Sequence, residues 1–170
     1  MKHGIAIMLL ALAAASAWGQ AGASVPVIID GRISAGEYTF TKTDNGITVA
    51  ARLSADAKTL FIAVSAATPG WVAIGVGSNK MSGAFMVLGF VNGGKQTIST
   101  EMGKGHSHSL VAATDVVSVV TEISGVTTLE LSMPASQAVK AGAVAAIAAF
   151  GMQDNAKSIH SKRMPLDIQL

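Results

Sequence analysis

The sequence predicts an antiparallel β-sandwich of about ten short strands, with an immunoglobulin-like architecture. Apolar and polar residues alternate along most of the chain after residue 25, as expected for strands that bury one face. Polar, glycine-containing turns such as Asp44-Asn45-Gly46 separate these runs at intervals of about 8–12 residues. The 170 residues show no fixed-period repeat and no long linker, so we expect one domain with one core.

The first four predicted strands are short and joined by polar turns. Residues 25–29 are predicted to form an apolar strand, and a second strand runs through residue 43. Residues 47–53 form the third strand, which places apolar side chains on one face: Ile47, Val49, Ala51 and Leu53. The fourth strand resumes the alternation with Leu60, Ile62 and Val64.

Two buried strands, residues 71–77 and 85–91, form the centre of the predicted sandwich. A glycine-containing polar bend with the sequence SNKMSGA joins them, and Met81 lies in the middle of this bend. Methionine normally fills gaps in an apolar core. Met81 therefore needs either an apolar neighbour or an atom that its sulfur can bind.

The remaining strands complete the sandwich. A strand at 95–100 precedes a polar loop at 103–109, and a hairpin follows, with strands at 116–123 and 126–133. Residues 134–140 are predicted to hold one helical turn.

The last part of the chain contains two further strands. The continuous apolar run 143–150 favours a strand covered on both faces, with an alanine-rich helix as the competing interpretation. A polar loop, residues 151–163, then leads to a last short strand at 166–170.

The N-terminus has the layout of a secretory signal peptide, which we assign to residues 1–23. One lysine precedes an apolar run at 5–15 that is too short to span a bilayer, although a membrane anchor is the alternative. Small residues allow cleavage after Ala17, Ala21 or Ala23. Residues 24–170 would then form the single domain, in the periplasm or secreted.

Composition excludes several classes of function. Lys2 is one of 12 basic residues and the leader contains none of the 10 acidic ones, so the processed chain would carry a net charge of +1. No basic block is present, so nucleic acid is not an expected partner. The absence of cysteine excludes disulfides, thiolate chemistry and covalent c-type haem attachment. No hydrolase or phosphate-binding motif occurs, so we predict no catalytic residue and no enzyme.

What remains is a small set of soft and borderline metal ligands in predicted loops. Met81 offers a thioether, and His106, His108 and His160 offer imidazoles. A methionine–histidine pair suits the iron of a haem, which would be held non-covalently as haem b because cysteine is absent. The same ligands also suit copper.

Three segments carry a resemblance to the DOMON family, which includes the cytochrome domain of cellobiose dehydrogenase. They are IDGRISAGEY, then GWVAIGVG with MSGAFMVLGFV, then AFG with IHSKRMPLDIQL. The resemblance implies a β-sandwich that binds haem in some members, with Met81 and His160 at the positions of the axial ligands. Related subunits use lysine with methionine, so Lys162 or Lys157 is a more remote ligand candidate.

Other residues have both a structural and a functional interpretation. Trp71 and Phe150 are core residues first and candidates for the haem wall second. Arg163 is a candidate partner of a haem propionate. Met81 alone would plug the end of the sandwich, and His160 alone would be a solvated loop residue. His106 and His108 would bind zinc or copper only adventitiously.

Taken together, the residues and the resemblance predict an exported b-type haem protein that transfers electrons. Its partner would be a redox protein or a membrane cytochrome. The alternative is a haem-free DOMON module that binds a carbohydrate or a protein.

The leader assignment predicts the N-terminus of the processed protein. Protein recovered from the periplasm should start at Trp18, Gly22 or Ser24, as intact mass and N-terminal peptide mapping would show. A membrane-bound product that retains Met1 would contradict the assignment.

Overall fold

The structure, a computed structural model, describes residues 25–170. The assigned signal peptide, residues 1–23, lies outside the described residues. Eleven strands and one short 3₁₀ helix at Ala135–Gln137 make up the regular structure. The strands are β1 (Phe40–Asp44), β2 (Ile47–Leu53), β3 (Thr59–Ala66), β4 (Val72–Val76), β5 (Phe85–Asn92), β6 (Lys95–Lys104), β7 (Ser107–Leu110), β8 (Val117–Ile123), β9 (Val126–Pro134), β10 (Ala143–Phe150) and β11 (Lys162–Gln169).

The strands form two antiparallel sheets. The five-stranded sheet has the order β1-β2-β3-β9-β8, and the six-stranded sheet has the order β11-β10-β4-β5-β6-β7. The predicted antiparallel sandwich is therefore confirmed, with eleven strands where about ten were expected. Within residues 25–170, no helix has the length and hydrophobicity that crossing a membrane requires.

The core lies between the facing sides of the two sheets. Alternate residues of each strand point into it, as Ile47, Val49 and Ala51 do on β2. Most of the large apolar side chains there are fully buried, among them Ile62, Leu129, Leu131, Met164 and Ile168. Burying each such side chain contributes roughly 1.5–3 kcal/mol, so this core can hold the fold without disulfides.

A second, smaller apolar cluster lies on the other side of the six-stranded sheet, which we call the outer face. Trp71, Ala73, Leu88 and Phe90 form it, and each is less than 10% exposed. Ala73 and Leu88 lie directly opposite each other on β4 and β5. A solvent-facing side of a sheet is normally polar, so a buried apolar cluster here requires a cover. The loop between β10 and β11 provides part of it, because Ala156 packs against the cluster.

Several predicted element boundaries are confirmed and others are wrong. Residues 143–150 form strand β10 rather than an alanine-rich helix, and the helical turn falls within 134–140 as expected. The prediction of a polar loop at 103–109 is wrong, because β6 continues to Lys104 and residues 107–110 form the edge strand β7. The last strand begins at Lys162 rather than at residue 166, since β11 pairs with β10 along its whole length.

The predicted first strand, residues 25–29, is wrong. This segment has no ladder partner and lies in an irregular conformation. Side chains replace the ladder: Arg52 Nη1 donates to the Val25 carbonyl oxygen at 2.6 Å, and the Ile28 N–H donates to Glu37 at 3.4 Å. Backbone groups that find charged side-chain partners do not need a neighbouring strand.

The N-terminal segment is held on the five-stranded sheet by a buried carboxylate. Glu130 on β9 is fully buried although it lies on the face of the strand away from the core. Its Oε2 accepts hydrogen bonds from the N–H groups of Asp30, Gly31 and Arg32 at 2.9, 2.7 and 3.0 Å. The Tyr38 hydroxyl donates to Oε1 at 2.6 Å. Four donors thus compensate the desolvated carboxylate.

We expect Glu130→Ala to lower the free energy of unfolding by roughly 3 kcal/mol, because four donors, one buried and three partly buried, lose their acceptor. Urea denaturation followed by circular dichroism measures the loss. Glu122→Ala, at an exposed position of neighbouring β8, is the control and should change stability by no more than about 0.5 kcal/mol. Equal effects of the two substitutions would contradict the role of Glu130.

Tyr38 makes stability depend on pH in alkaline solution. Burial, and next the hydrogen bond to Glu130, raises the pKa of the Tyr38 hydroxyl well above its usual range. The folded state thus favours the protonated form, so this contribution is complete below pH about 10 and is lost as the pH rises further. The stability difference between the native protein and Tyr38→Phe should therefore stay constant from about pH 8 to 9.5 and shrink above pH 10. A difference that stays constant to about pH 11 in urea titrations would contradict it.

Candidate functional site on the outer face of the six-stranded sheet

The outer face combines small and large apolar residues. Ala73 and Gly75 on β4 are small, whereas Ile147 on β10 and Met86 on β5 lie opposite Gly75 on its two sides. A Cβ atom on Gly75 would lie 3.0 Å from the Ala84 Cβ atom and 3.1 Å from both Ile147 and Met86, so the face is already filled at this point. A flat, apolar group on this face would have to lie beside Gly75, between the loops that flank the sheet.

Met81 lies at one end of this face, in the loop between β4 and β5. The loop is folded onto β6: the Gly83 N–H donates to the Gly103 carbonyl oxygen at 2.9 Å, and the Gly103 N–H donates to that of Ala84 at 2.9 Å. Gly103 is required at this contact, because a Cβ atom there would overlap the Met81 carbonyl group. The side chain of Met81 also passes over Gly103 and is half-buried.

His160 lies in the loop between β10 and β11, which is fastened to Trp71. The Gly151 N–H donates to the Trp71 carbonyl oxygen at 2.9 Å, and Trp71 Nε1 donates to Ser158 Oγ at 2.8 Å. The Thr68 hydroxyl donates to the Gly151 carbonyl oxygen at 2.7 Å. The loop is thus held by residues just before β4, and His160 itself is exposed to solvent.

Met81 and His160 lie at opposite ends of the outer face. Because β10 runs antiparallel to β4, the loop after β10 meets the start of β4, whereas the Met81 loop follows its end. The five residues of β4 span roughly 16 Å. Within residues 25–170, no hydrogen bond joins the two loops directly. Their pairing as ligands of one iron stays a prediction.

A cavity of ≈ 410 Å³ opens between the outer face and the β10–β11 loop. Apolar side chains and polar groups share its wall, and neither Met81 nor His160 belongs to it. Its size falls within the range of small-molecule and cofactor pockets. Its lining residues are Phe90, Thr97, Ser99, Glu101, His108, Leu110, Asp154, Asn155, Ala156 and Lys157.

The cavity contains a hydrogen-bonded chain that the sequence did not indicate. Glu101 is only 6% exposed, and its carboxylate contacts both the Ser99 hydroxyl, at 2.6 Å, and His108 Nδ1. His108 is opposite Gly103 on the paired strands, next to the Met81 loop. The carboxylate fixes the orientation of the imidazole, and Nε2 of His108 stays available to another group.

The other predicted site residues are distributed on both sides of the sheet. Trp71 belongs to the outer cluster, and Arg163 is exposed opposite Ala149 on the paired strands β10 and β11. Phe150 faces the core between the sheets, so it supports the outer face only from behind. His106 is exposed in the turn before β7.

Sequence reasoning missed Glu101, Gly103 and Ser158. Glu101 follows the predicted strand 95–100 in a polar stretch, and its burial depends on contacts with Ser99 and His108 that become visible only in the fold. Gly103 had no signal, because it was predicted to lie in a loop. Only the extension of β6 to Lys104 makes it a glycine inside a strand, where close backbone approach is common. Ser158 had none, because its role depends on contact with Trp71, 87 residues earlier.

Within the described part of the chain, no group of three or more histidine, cysteine, aspartate or glutamate side chains could hold a metal ion. A flat cofactor that brings most of its metal ligands with it needs only one or two protein ligands, and Met81 and His160 remain the predicted ones.

Two solved structures are similar to this chain in fold. One is the cytochrome domain of Myriococcum thermophilum cellobiose dehydrogenase, with a TM-score of 0.59 and 11% identity over 77% of this chain and 81% of that chain. The other is the cytochrome b domain of pyranose dehydrogenase from Coprinopsis cinerea, with a TM-score of 0.58 and 13% identity over 76% of this chain and 80% of that chain. At such low identity these similarities establish the fold alone.

No curated protein matches the chain. The family model described as the cytochrome domain of cellobiose dehydrogenase matches residues 32–146. The matched segment covers well over half of the chain, and it includes Trp71, Met81 and the strands β1 to β9. The chain therefore belongs to the family of the cytochrome domain of cellobiose dehydrogenase, a DOMON-type domain.

Proposed function

We propose that this protein is an exported electron-transfer domain that binds haem b non-covalently, with Met81 and His160 as the axial ligands. One observation carries the proposal above all. In a chain of this family, a thioether and an imidazole lie on the two loops that flank a single apolar face. Met81 would offer its thioether and His160 its imidazole to the iron, each from its own loop.

The chemistry of the face supports a porphyrin. Leu88 and Phe90, with the apolar residues of β4 and β10, would contribute apolar surface to its pocket. No cysteine is present, so nothing in the chain attaches haem covalently. Methionine and histidine together are a known ligand pair of haem iron.

When bound, haem would supply a one-electron redox centre. The thioether of Met81 favours the ferrous state and so raises the reduction potential, whereas His160 supplies the stronger ligand. With both axial positions filled by the protein, no substrate would bind at the iron. Such a domain passes electrons and catalyses no reaction of its own, which agrees with the cytochrome domains of its family.

The remaining residues would orient and shield the cofactor. Trp71 holds the His160 loop through its hydrogen bond to Ser158 and contributes apolar surface to the outer cluster. Arg163, exposed beside Ala149, is suited to pair with a propionate. Phe150 would stiffen β10 from the core side.

The proposal includes the location of the protein. We infer that residues 1–23 are removed on export and that residues 24–170 work in the periplasm or outside the cell. The partner would be a redox protein or a membrane cytochrome. The alternative function is a haem-free module that binds a carbohydrate or a protein, which the cavity under the β10–β11 loop would also accommodate.

We expect three variants to distinguish the ligands. Met81→Ala should give a five-coordinate haem with a shifted Soret band and a lower potential. His160→Ala should weaken haem retention by more than about tenfold, because imidazole is the stronger ligand and nothing covalent holds the cofactor. Absorption spectra, redox titration and haem transfer to an apoprotein acceptor measure these effects.

The matched control is the double variant His106→Ala/His108→Ala. It removes the other two imidazoles of residues 25–170 and should change neither the Soret band nor haem retention. If this double variant lost haem while His160→Ala retained it, the assignment of His160 as the imidazole ligand would be wrong. A native protein that shows no Soret band after reconstitution with haem would leave the binding-module function in its place.

A further inference from the structure

The two sides of the sandwich carry opposite net charge, although the described chain as a whole is nearly neutral. The five-stranded sheet, with its connections and the N-terminal segment, has four basic residues and seven acidic ones: Arg32, Lys42, Arg52 and Lys58 against Asp30, Glu37, Asp44, Asp56, Asp115, Glu122 and Glu130. The six-stranded sheet and its loops have seven basic residues and three acidic ones: Lys80, Lys95, Lys104, Lys140, Lys157, Lys162 and Arg163 against Glu101, Asp154 and Asp167.

Burial sharpens this difference on the six-stranded side. All seven basic residues there are exposed, whereas Glu101 is buried and Asp154 is partly buried. Only Asp167 leaves a fully exposed carboxylate on this side. The positive field therefore surrounds the same face and loops that carry Met81 and His160, and it extends over several ångströms into solution.

The β10–β11 loop adds apolar surface at the end of this face. Ile159, next to His160, is 88% exposed, and Met152 is 54% exposed. Both line a depression of ≈ 490 Å³, together with Gln153, Lys157, Ser158 and Ser161. Exposed apolar side chains inside a charged rim are typical of a surface that another molecule covers.

We propose that this side of the six-stranded sheet is the docking surface for an acidic redox protein. The inference rests on the proposed haem function, and it adds the charge of the partner and the surface that the partner covers. Lysines and Arg163 would steer the partner toward the face, and Ile159 and Met152 would make the close contact. The five-stranded side, which carries more acidic than basic residues, would face away from the acidic partner.

The shape of the surface favours a protein over an anionic membrane. Met152 and Ile159 border a depression, a shape that complements a protruding side chain of a protein. With Leu110 they are the three large apolar side chains that the described chain exposes on the outer face and the β10–β11 loop, which is little for insertion among lipids. Charge and concavity together match an acidic, convex protein surface.

The test uses the haem-loaded protein and an acidic plant-type ferredoxin as electron donor. Its low potential makes reduction of the haem downhill, with one electron passing from the cluster to the ferric haem. We expect the second-order rate constant to fall at least about tenfold from roughly 10 mM to 500 mM salt. Lys95→Glu/Lys104→Glu should lower the rate constant by about fivefold or more at low salt.

The matched control is Lys42→Glu/Lys58→Glu, which makes the same charge change on the five-stranded sheet and should alter the rate less than twofold. Ile159→Ser should slow the reaction with ferredoxin but leave oxidation by ferricyanide unchanged. Val117→Ser, at a 62% exposed position of β8, should affect neither. Chemical-shift changes on adding ferredoxin to the labelled protein should concentrate at residues 151–161, a readout that does not depend on electron transfer.

The outcomes separate the two proposals. Two results would overturn the docking surface alone, provided that the protein shows a normal Soret band. One is an equal decrease of the rate constant in both lysine double variants, and the other is chemical-shift changes confined to the five-stranded sheet. Sedimentation with phosphatidylglycerol vesicles that is lost in Lys95→Glu/Lys104→Glu, without any effect on ferredoxin kinetics, would overturn it in favour of a membrane. A native protein without a Soret band would overturn both the haem function and the docking surface.

Discussion

The contact between Trp71 and the β10–β11 loop is the constraint on which the candidate site depends. Gly151 passes so close to the indole ring that a Cβ atom would overlap it, and Ser158 accepts the indole N–H. Together they fix both halves of an eleven-residue loop that would otherwise extend into solvent. Because the loop lies back over the sheet, Ala156 packs against the outer cluster, and the loop forms one wall of the cavity. The same contacts determine where His160 lies. Trp71 thus acts on the site mainly through the loop that it holds.

Two buried carboxylates show how differently the two sheets use a charged residue. Glu130 is surrounded by donors, three N–H groups and the Tyr38 hydroxyl, and it fastens the N-terminal segment to the five-stranded sheet. Among residues 25–170, Glu101 has Ser99 and His108 as side-chain partners, and it lies at the wall of a cavity on the six-stranded sheet. The first arrangement uses the carboxylate to hold the chain, which suits a structural role. The second leaves an imidazole nitrogen available, in a part of the molecule that the loops keep accessible.

Much of the site could be anticipated from local pattern, and the rest could not, for a physical reason. Met81 was conspicuous because an apolar, polarisable side chain in a polar bend needs an explanation. The continuous apolar run of β10 was visible too, although which of its residues share a face with β4 was not. His108 was misjudged as a loop residue, because four residues of mixed polarity form a strand only when β6 offers an edge to pair with. The same holds for residues 25–29, whose apolar pattern suited a strand that charged side chains made unnecessary.

By itself the sequence determined the class of the fold, most strand positions and the absence of any disulfide. These follow from alternation, turn chemistry and composition, which are local properties. The family resemblance added Met81 and His160 as predicted haem ligands. Only the tertiary structure decided which face of the six-stranded sheet is covered, that Phe150 points into the core, and that Met81 and His160 begin at opposite ends of one surface. The tertiary structure also revealed that the two sheets differ in net charge. A net charge near zero for the whole chain does not show how charged residues distant in sequence are distributed between two sheets. Such features depend on which strands become neighbours, and that is decided by the packing of the whole chain.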